Sequence, residues 1–216
     1  MRFMALLVVL WQTLAPSRTP TQDKPEHLVV CQRKTYSLAD FDSGATAIVS
    51  PDHLKEIIFA KDGALRITRG RQEIGMVPLP EVSADIEVAW SPDSEKFWVT
   101  YSEGGAEGLF VAHVYELQEK KISELSKPVA VAFADFRQRY YCKERGNNTY
   151  IEGWTLDSKQ LLIINEVYPT GDCGESFGRL GAYLVDLQGQ IIRRYGNRGA
   201  EAIQQECRDS PRARLH

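Results

Sequence analysis

Between residues 45 and 196 the chain alternates short apolar runs with polar turns, and the runs have the two-residue period of half-buried strands. Ile86, Val88 and Trp90 fall on one face of such a run and Glu87 and Ala89 on the other. Asp62-Gly63 separates Ile57–Lys61 from Ala64–Thr68, a strong signal for a two-residue hairpin. Gly104-Gly105 stands in the same place before Leu109–Leu117, and the longer loop Pro169–Gly178 stands before Leu180–Leu187. Short terminal strands are predicted at Glu73–Val77, Lys121–Leu125 and Gln190–Tyr195, the last two entered through polar turns.

These runs form a repeat. Val49-Ser50-Pro51-Asp52 leads into Glu56–Phe59, Trp90-Ser91-Pro92-Asp93 into Phe97–Thr100, and Trp154-Thr155-Leu156-Asp157 into Leu161–Ile164. In each copy an Asp carboxylate is placed to accept backbone N–H groups two residues on and so to close a turn. Each unit holds four strands. Asp52 and Asp93 lie 41 residues apart, which is the period of a propeller blade. Asp93 and Asp157 lie 64 apart, and the surplus of about 23 residues falls on Pro128–Asn148, with a helix near 128–145. There Val129, Ala132, Phe133, Phe136 and Tyr140 recur at helical spacing, after a Pro128 suited to a first turn and before Gly146-Asn147.

The Ser-Pro-Asp turn followed by an apolar strand resembles the WD40-like repeats of TolB-type β-propellers. The likeness is clearest at Ser91-Pro92-Asp93 and most degenerate at Thr155-Leu156-Asp157. In place of the glycine that usually follows the Asp, this chain has His53, Ser94 and Ser158. The resemblance implies an all-β fold of four-stranded antiparallel propeller-like blades with one inserted helix near 128–145. Three blades are visible, and a closed propeller has at least four. A fourth blade in the terminal segments, a pair of chains closing a six-bladed ring, and an arrangement other than a propeller all remain open.

The first residues carry a different pattern. Arg2 precedes the apolar run Phe3–Trp11, and Gln12–Ala15 is a more polar exit, the outline of a secretory signal peptide. The expected organisation is a signal peptide at 1–17, a leader at 18–26, a β-propeller-like domain at 27–200 and a tail at 201–216. A short helix is expected at Ala200–Cys207, and no ordered structure beyond Pro211. An exported chain meets an oxidising compartment, and the four cysteines allow three pairings. Cys31–Cys207, which ties the two ends, and Cys142–Cys173 are favoured over four buried thiols.

Composition adds limits. Hydrophobic residues are 43% of the 216 and charged residues 25%, an ordinary globular balance. A net charge of −3 gives no global basic field for nucleic acid, and no later segment is long and apolar enough to span a bilayer.

Catalytic patterns are weak. Gly174-Glu175-Ser176-Phe177-Gly178 matches the nucleophile-elbow pattern, but it precedes a strand-like segment where that motif needs a helix. No spacing sets Glu152, Asp157 or Glu166 as a glycosidase pair, and Asp172 with Glu175 supplies too few oxygens for calcium. Candidate binding residues are Tyr168, Asp172 and Glu175 on or beside the long loop, the aromatic Trp154, and the basic Arg137 and Arg139 of the inserted helix. The reading that follows is a non-enzymatic binding or scaffolding module of the cell envelope, without a cofactor, whose partner is another envelope protein or a second copy. The alternative is a hydrolase acting on a sugar or ester.

Overall fold

A computed structural model describes residues 27–31, 35–36, 47–60, 63–79, 82–103, 108–119, 121–140, 147–168, 171–209 and 213–215. The signal peptide and leader expected before residue 27 lie outside the described residues.

The repeat folds into three antiparallel sheets, each an up-and-down run of four strands in chain order. The first contains β3 (Ala47–Val49), β4 (Lys55–Phe59), β5 (Ala64–Arg69) and β6 (Gln72–Pro78). The second contains β7 (Val82–Trp90), β8 (Lys96–Glu103), β9 (Leu109–Gln118) and β10 (Lys121–Glu124). The third contains β11 (Asn147–Thr155), β12 (Gln160–Val167), β13 (Leu180–Asp186) and β14 (Ile191–Tyr195). Segments near the termini extend two of them. β2 (Thr35–Tyr36) pairs with β7, β1 (His27–Cys31) pairs with β11, and β15 (Ala213–Leu215) pairs with β1. Helix α1 (Ser126–Arg139) stands between the second and third sheets, and helix α2 (Asn197–Asp209) follows β14.

The period-2 alternation decides which sheet meets which. On β8, Phe97, Val99 and Tyr101 join a core shared with Ile57, Leu65 and Ile67 of the first sheet. The intervening Trp98 faces the other way, into a core shared with Ile151 and Ile163 of the third sheet and Ala132 and Phe136 of α1. β12 is buried on both faces, Leu161 and Ile163 in that second core and Leu162 and Ile164 in a third one under α2. A strand buried on both faces reads as an unbroken apolar run, as Leu161–Ile164 does.

The blade-like units are therefore real, but they do not close. The face of the third sheet on which a ring would stack its next blade is covered by Ala200 and Ile203 of α2. A disulfide between Cys31 and Cys207, with Cα atoms 5.3 Å apart, ties that helix to β1. At the other end the outer face of the first sheet exposes Val49, Met76 and the Arg66–Glu73 pair. No fourth four-stranded sheet exists among the described residues, because β1, β2 and β15 extend the second and third sheets instead.

The inserted helix is shorter than the expected 128–145. It ends at Arg139, and Tyr140 leaves the helical region with φ −127° and ψ 85°. The Tyr140 N–H still bonds the Phe136 carbonyl at 2.9 Å, and its ring packs on Phe136 with centroids 5.0 Å apart. Lys143 and Arg145, which with Arg137 and Arg139 make the expected helix locally basic, lie outside the described residues. Asn147, expected at the helix end, opens β11 opposite Val167. Helix α2 is longer than the expected Ala200–Cys207, and beyond Pro211 the chain pairs again as β15. That pairing comes from β1, which offers a free edge far away in sequence. Among the described residues no helix is long and apolar enough to cross a membrane.

Candidate functional site

The three Asp turns are the most regular feature of the molecule. Ser50 and Ser91 donate their hydroxyls to Asp52 and Asp93, and Thr155 donates to Asp157 at 2.7 Å. Each Oδ1 also accepts a backbone N–H two residues on, from Leu54, Glu95 and Lys159 at 3.0, 3.1 and 3.2 Å. His53, Ser94 and Ser158, at the usual glycine position, take φ of 59°, 60° and 59°. The left-handed turn is thus kept without glycine. Two of these residues have a second task. Ser94 Oγ accepts the Asp52 N–H of the preceding turn at 3.0 Å, and Ser158 Oγ accepts that of Asp93 at 2.9 Å. One side-chain hydroxyl per junction links the sheets turn to turn.

Lys55 strengthens the first of these links. It is 2% exposed, and its ammonium donates to Asp52 Oδ2 at 3.2 Å, the Ser94 carbonyl at 3.0 Å and Glu95 Oε1 at 2.9 Å. All three protons are used, which a buried ammonium requires. Burial works against ionisation of Asp52, but the Ser50 hydroxyl, the Leu54 N–H and Lys55 outweigh it and hold its carboxyl down at about 2. Lys96 at the second junction donates to Asp93 at 2.6 Å. The carboxylates of this repeat are committed to turns.

A different geometry appears at the outer part of the second junction, where α1 leaves β10. A cavity of about 410 Å³ opens between β9, the first turns of α1 and the start of β11. Its walls are apolar, with Phe110, Ala112 and Val114 from β9 and Leu125, Val129 and Phe133 from the α1 side. Its polar side chains are Ser126, Asn147 and Thr149; His113 and Glu124 border it from strands whose side chains at those positions face the first sheet. On the opposite face of this sheet, the one that carries Phe97 and Val99 toward the first sheet, Tyr101, His113 and Glu124 form a relay across neighbouring strands. The Tyr101 hydroxyl lies 3.2 Å from His113 Nε2, and His113 Nδ1 lies 2.8 Å from Glu124 Oε1. With its proton on Nδ1, the imidazole donates to Glu124 and accepts from Tyr101. Burial pushes the Tyr115 phenol up, and the nearby Glu124 charge adds to the effect.

The β11 side of the cavity is fixed by its own bonds. Asn148 Oδ1 accepts the Phe110 N–H at 3.1 Å, and its amide donates to Glu166 at 3.1 Å. Thr149 Oγ1 donates to Asn165 Oδ1 at 2.8 Å. Asn147 is 6% exposed, and its buried Oδ1 has no hydrogen-bond partner among the described residues.

The residues singled out from sequence are spread over several elements. Trp154 is fully buried in the core beneath the cavity. Glu175 is exposed on the loop after Tyr168, and the side chain of Asp172 lies outside the described residues. Cys173 of that loop is disulfide-bonded, and Cys142, its expected partner, lies outside the described residues. Arg139 pairs with Asp135 at 3.0 Å, which also holds Arg194 at 3.0 Å and so pins α1 to β14. Arg137 lies 5.8 Å from the centre of the Phe133 ring and is the one candidate that reaches a wall of the cavity. Ser176 sits in a 3₁₀ turn (Gly171–Ser176) that feeds β13, not on a strand-to-helix elbow. Glu152 is buried in β11, Asp157 closes the third turn, and Glu166 accepts from Asn148. Among the described residues no cluster of three metal-ligating side chains occurs.

Sequence reasoning missed Asn147, whose buried Oδ1 borders the cavity. No family model matches the chain, and no curated protein matches it. The likeness to TolB-type repeats therefore rests on the Ser-Pro-Asp turns themselves.

Proposed function

We propose that the chain is an exported, non-enzymatic binding module of the cell envelope, built on TolB-like repeats, whose ligand site is the cleft between β9 and α1. The observation that carries this reading is the cavity of about 410 Å³ at the one junction where a helix is inserted into the repeat. Apolar walls with a few convergent polar groups are the usual makeup of a ligand pocket, and here a rigid β scaffold holds them. The basic and apolar start of the chain supports export, as does the Cys31–Cys207 disulfide, a bond that persists in oxidising compartments.

Two measurements test the reading. The first is fractionation of the native cell, with the N-terminus of the mature protein read by mass spectrometry. Recovery from the envelope with the first residues removed is expected, and full-length cytosolic protein overturns export. The second is titration of the oxidised full chain with Nile red, a neutral apolar dye. Saturable binding at one site is expected, and Ala130→Trp, an exposed helix position on the cavity wall, abolishes it. Binding that ignores this substitution overturns the cleft.

A further inference from the structure

The cleft turns uncharged side chains inward. Its lining holds no lysine or arginine. Glu124 and His113 border it, but the strand register sends both side chains to the first sheet, on the face that carries Tyr115 and Leu117. We infer that the cleft selects a neutral molecule with an apolar body and a hydrogen-bond donor, an inference that rests on the cleft being the ligand site. Asn147 is the group that makes the distinction. It is 6% exposed, and its buried Oδ1 has no hydrogen-bond partner among the described residues. The register aims it. Asn147, Thr149 and Ile151 share one face of β11 and stand opposite Val167, Asn165 and Ile163. Ile151, Ile163 and Val167 belong to the core that also takes Ala112 and Val114 of the cleft wall. The Asn147 side chain therefore leaves β11 on the cleft side.

A buried carbonyl without a donor is a costly group to leave unmet. The neighbouring side chains of β11 do not meet it. Thr149 Oγ1 donates its one proton to Asn165 Oδ1 at 2.8 Å and can otherwise only accept. Asn148 is spent on the Phe110 N–H and on Glu166. Two oxygens on the lining, Asn147 Oδ1 and Thr149 Oγ1, thus await a donor that the ligand has to bring. An ammonium would bring one together with a charge that no side chain turned into the cleft balances, and burying an unpaired charge is expensive. A carboxylate has the same cost and sets oxygen against oxygen. An amide N–H or a hydroxyl brings the proton without the charge. The body of such a molecule has Phe110, Val129 and Phe133 to cover it.

The test uses four probes with the same apolar body, N-methyldecanamide, methyl decanoate, decylamine and decanoate, each below its aggregation concentration. They compete with Nile red on the oxidised full chain at pH 7. The amide and the ester differ by one group, N–H against O. The amide is expected to bind at least about tenfold tighter than the ester, which leaves the Asn147 oxygen unmet. The two ions are expected to bind weakest. Asn147→Leu fills a similar space without the oxygen. It is expected to abolish the difference between amide and ester, with an unchanged or raised thermal midpoint confirming the fold. The parent protein alone overturns the inference if amide and ester bind equally, or if either ion binds as tightly as the amide. An amide preference that survives Asn147→Leu overturns it as well. If the ester binds and Ala130→Trp removes it, the cleft itself still stands. If none of the four probes nor the dye binds, the cleft reading falls with the inference.

Discussion

The two junctions between neighbouring sheets are made from the same repeat, yet one is closed over its whole length and the other splits. At the first, the Asp turns are joined by Ser94 and by Lys55, and the outermost strands β6 and β10 also meet. That meeting is tight, since a Cβ on Gly75 would lie 3.0 Å from Ile122 Cδ1. At the second junction the turns are joined in the same way by Ser158, and β9 packs on β11. Farther out the chain leaves β10 into α1, which packs on β9, β12 and β13 and takes the place of a direct strand contact. The cavity lies where helix and strands diverge. A repeat by itself makes a wall; the insertion opens a cavity. Function in such a fold is better sought at the break in the period than in the motif that sets it.

The largest effects should come from two adjacent residues of β8 that serve different junctions. Phe97 and Trp98 are each fully buried, one in the core of the first junction and one in that of the second. Truncation of either to Ala is expected to cost about 3–5 kcal/mol in urea unfolding. Only Trp98→Ala should also weaken Nile red binding, because Trp98 shares its core with Ala112 and Val114 of the cleft wall. Equal loss of binding in a folded Phe97→Ala protein would mean that the junctions are not separable.

The buried lysines come next. Lys55→Ala removes an ammonium with three acceptors on two sheets and should cost about 2–4 kcal/mol. Lys96 donates to Asp93 within its own turn, and Lys96→Ala should cost about 1 kcal/mol. The same turns set the response to acid. Asp52 is held at about 2, below its ordinary 3.8, and Asp93 and Asp157 are also lowered. The unfolded chain therefore takes up protons first. The stability these carboxylates supply is present above about pH 4 and is lost as pH falls from there towards 2. Urea midpoints measured from pH 5 to pH 2 should fall steadily in the parent protein and less steeply in Lys55→Ala, which has already lost part of the network. Parallel curves would remove Lys55 from the account of Asp52.

Much of this architecture can be read in the chain because it depends on local rules. Alternation gives the strands, Asp-Gly and Ser-Pro-Asp give the turns, and the surplus between Asp93 and Asp157 gives the helix. Three things could not be read. Asn147 to Thr149 look like a loop, yet they form a strand because Glu166 and Asn165 on β12 supply their partners. The short segment after Pro211 looks unstructured, and it pairs because β1 has a free edge. Trp154 reads either as core or as a binding aromatic and is core; no local pattern separates the two, because none tells a strand with both faces covered from one with a face in water. Individual side chains follow the same division. Arg137 was legible as a residue on an exposed helix face, whereas the relay of Tyr101, His113 and Glu124 depends on the register of three strands.

Single hydroxyls should have intermediate and equal effects. Ser94→Ala and Ser158→Ala each strand one backbone N–H, of Asp52 and Asp93 respectively. About 1–2 kcal/mol is expected for each in urea unfolding. The sites lie at different junctions and share no partner, so the double variant should equal the sum within about 0.5 kcal/mol. A coupling well beyond that would show that the turn links act as one unit across the second sheet.

The smallest effect separates the two tasks that fall on the residue after the Asp. All three residues there are held near φ 60°, where an L side chain is strained by about 1–2 kcal/mol. Ser94 and Ser158 offset that strain by accepting the N–H of the preceding turn. Among the described residues His53 has no preceding Asp turn to serve, and its ring has no hydrogen-bond partner. Glycine at 53 would relieve the strain and lose nothing but its own unfolded-state entropy, so His53→Gly should raise stability by about 0.5 kcal/mol. Ser94→Gly and Ser158→Gly relieve the same strain but give up a link between sheets, and should come out neutral or destabilising by up to about 1 kcal/mol. Urea midpoints of the three variants at pH 7 decide the matter. A His53→Gly protein as destabilised as the other two would mean that the His53 ring is engaged after all, and that the first turn is not the free end of the series.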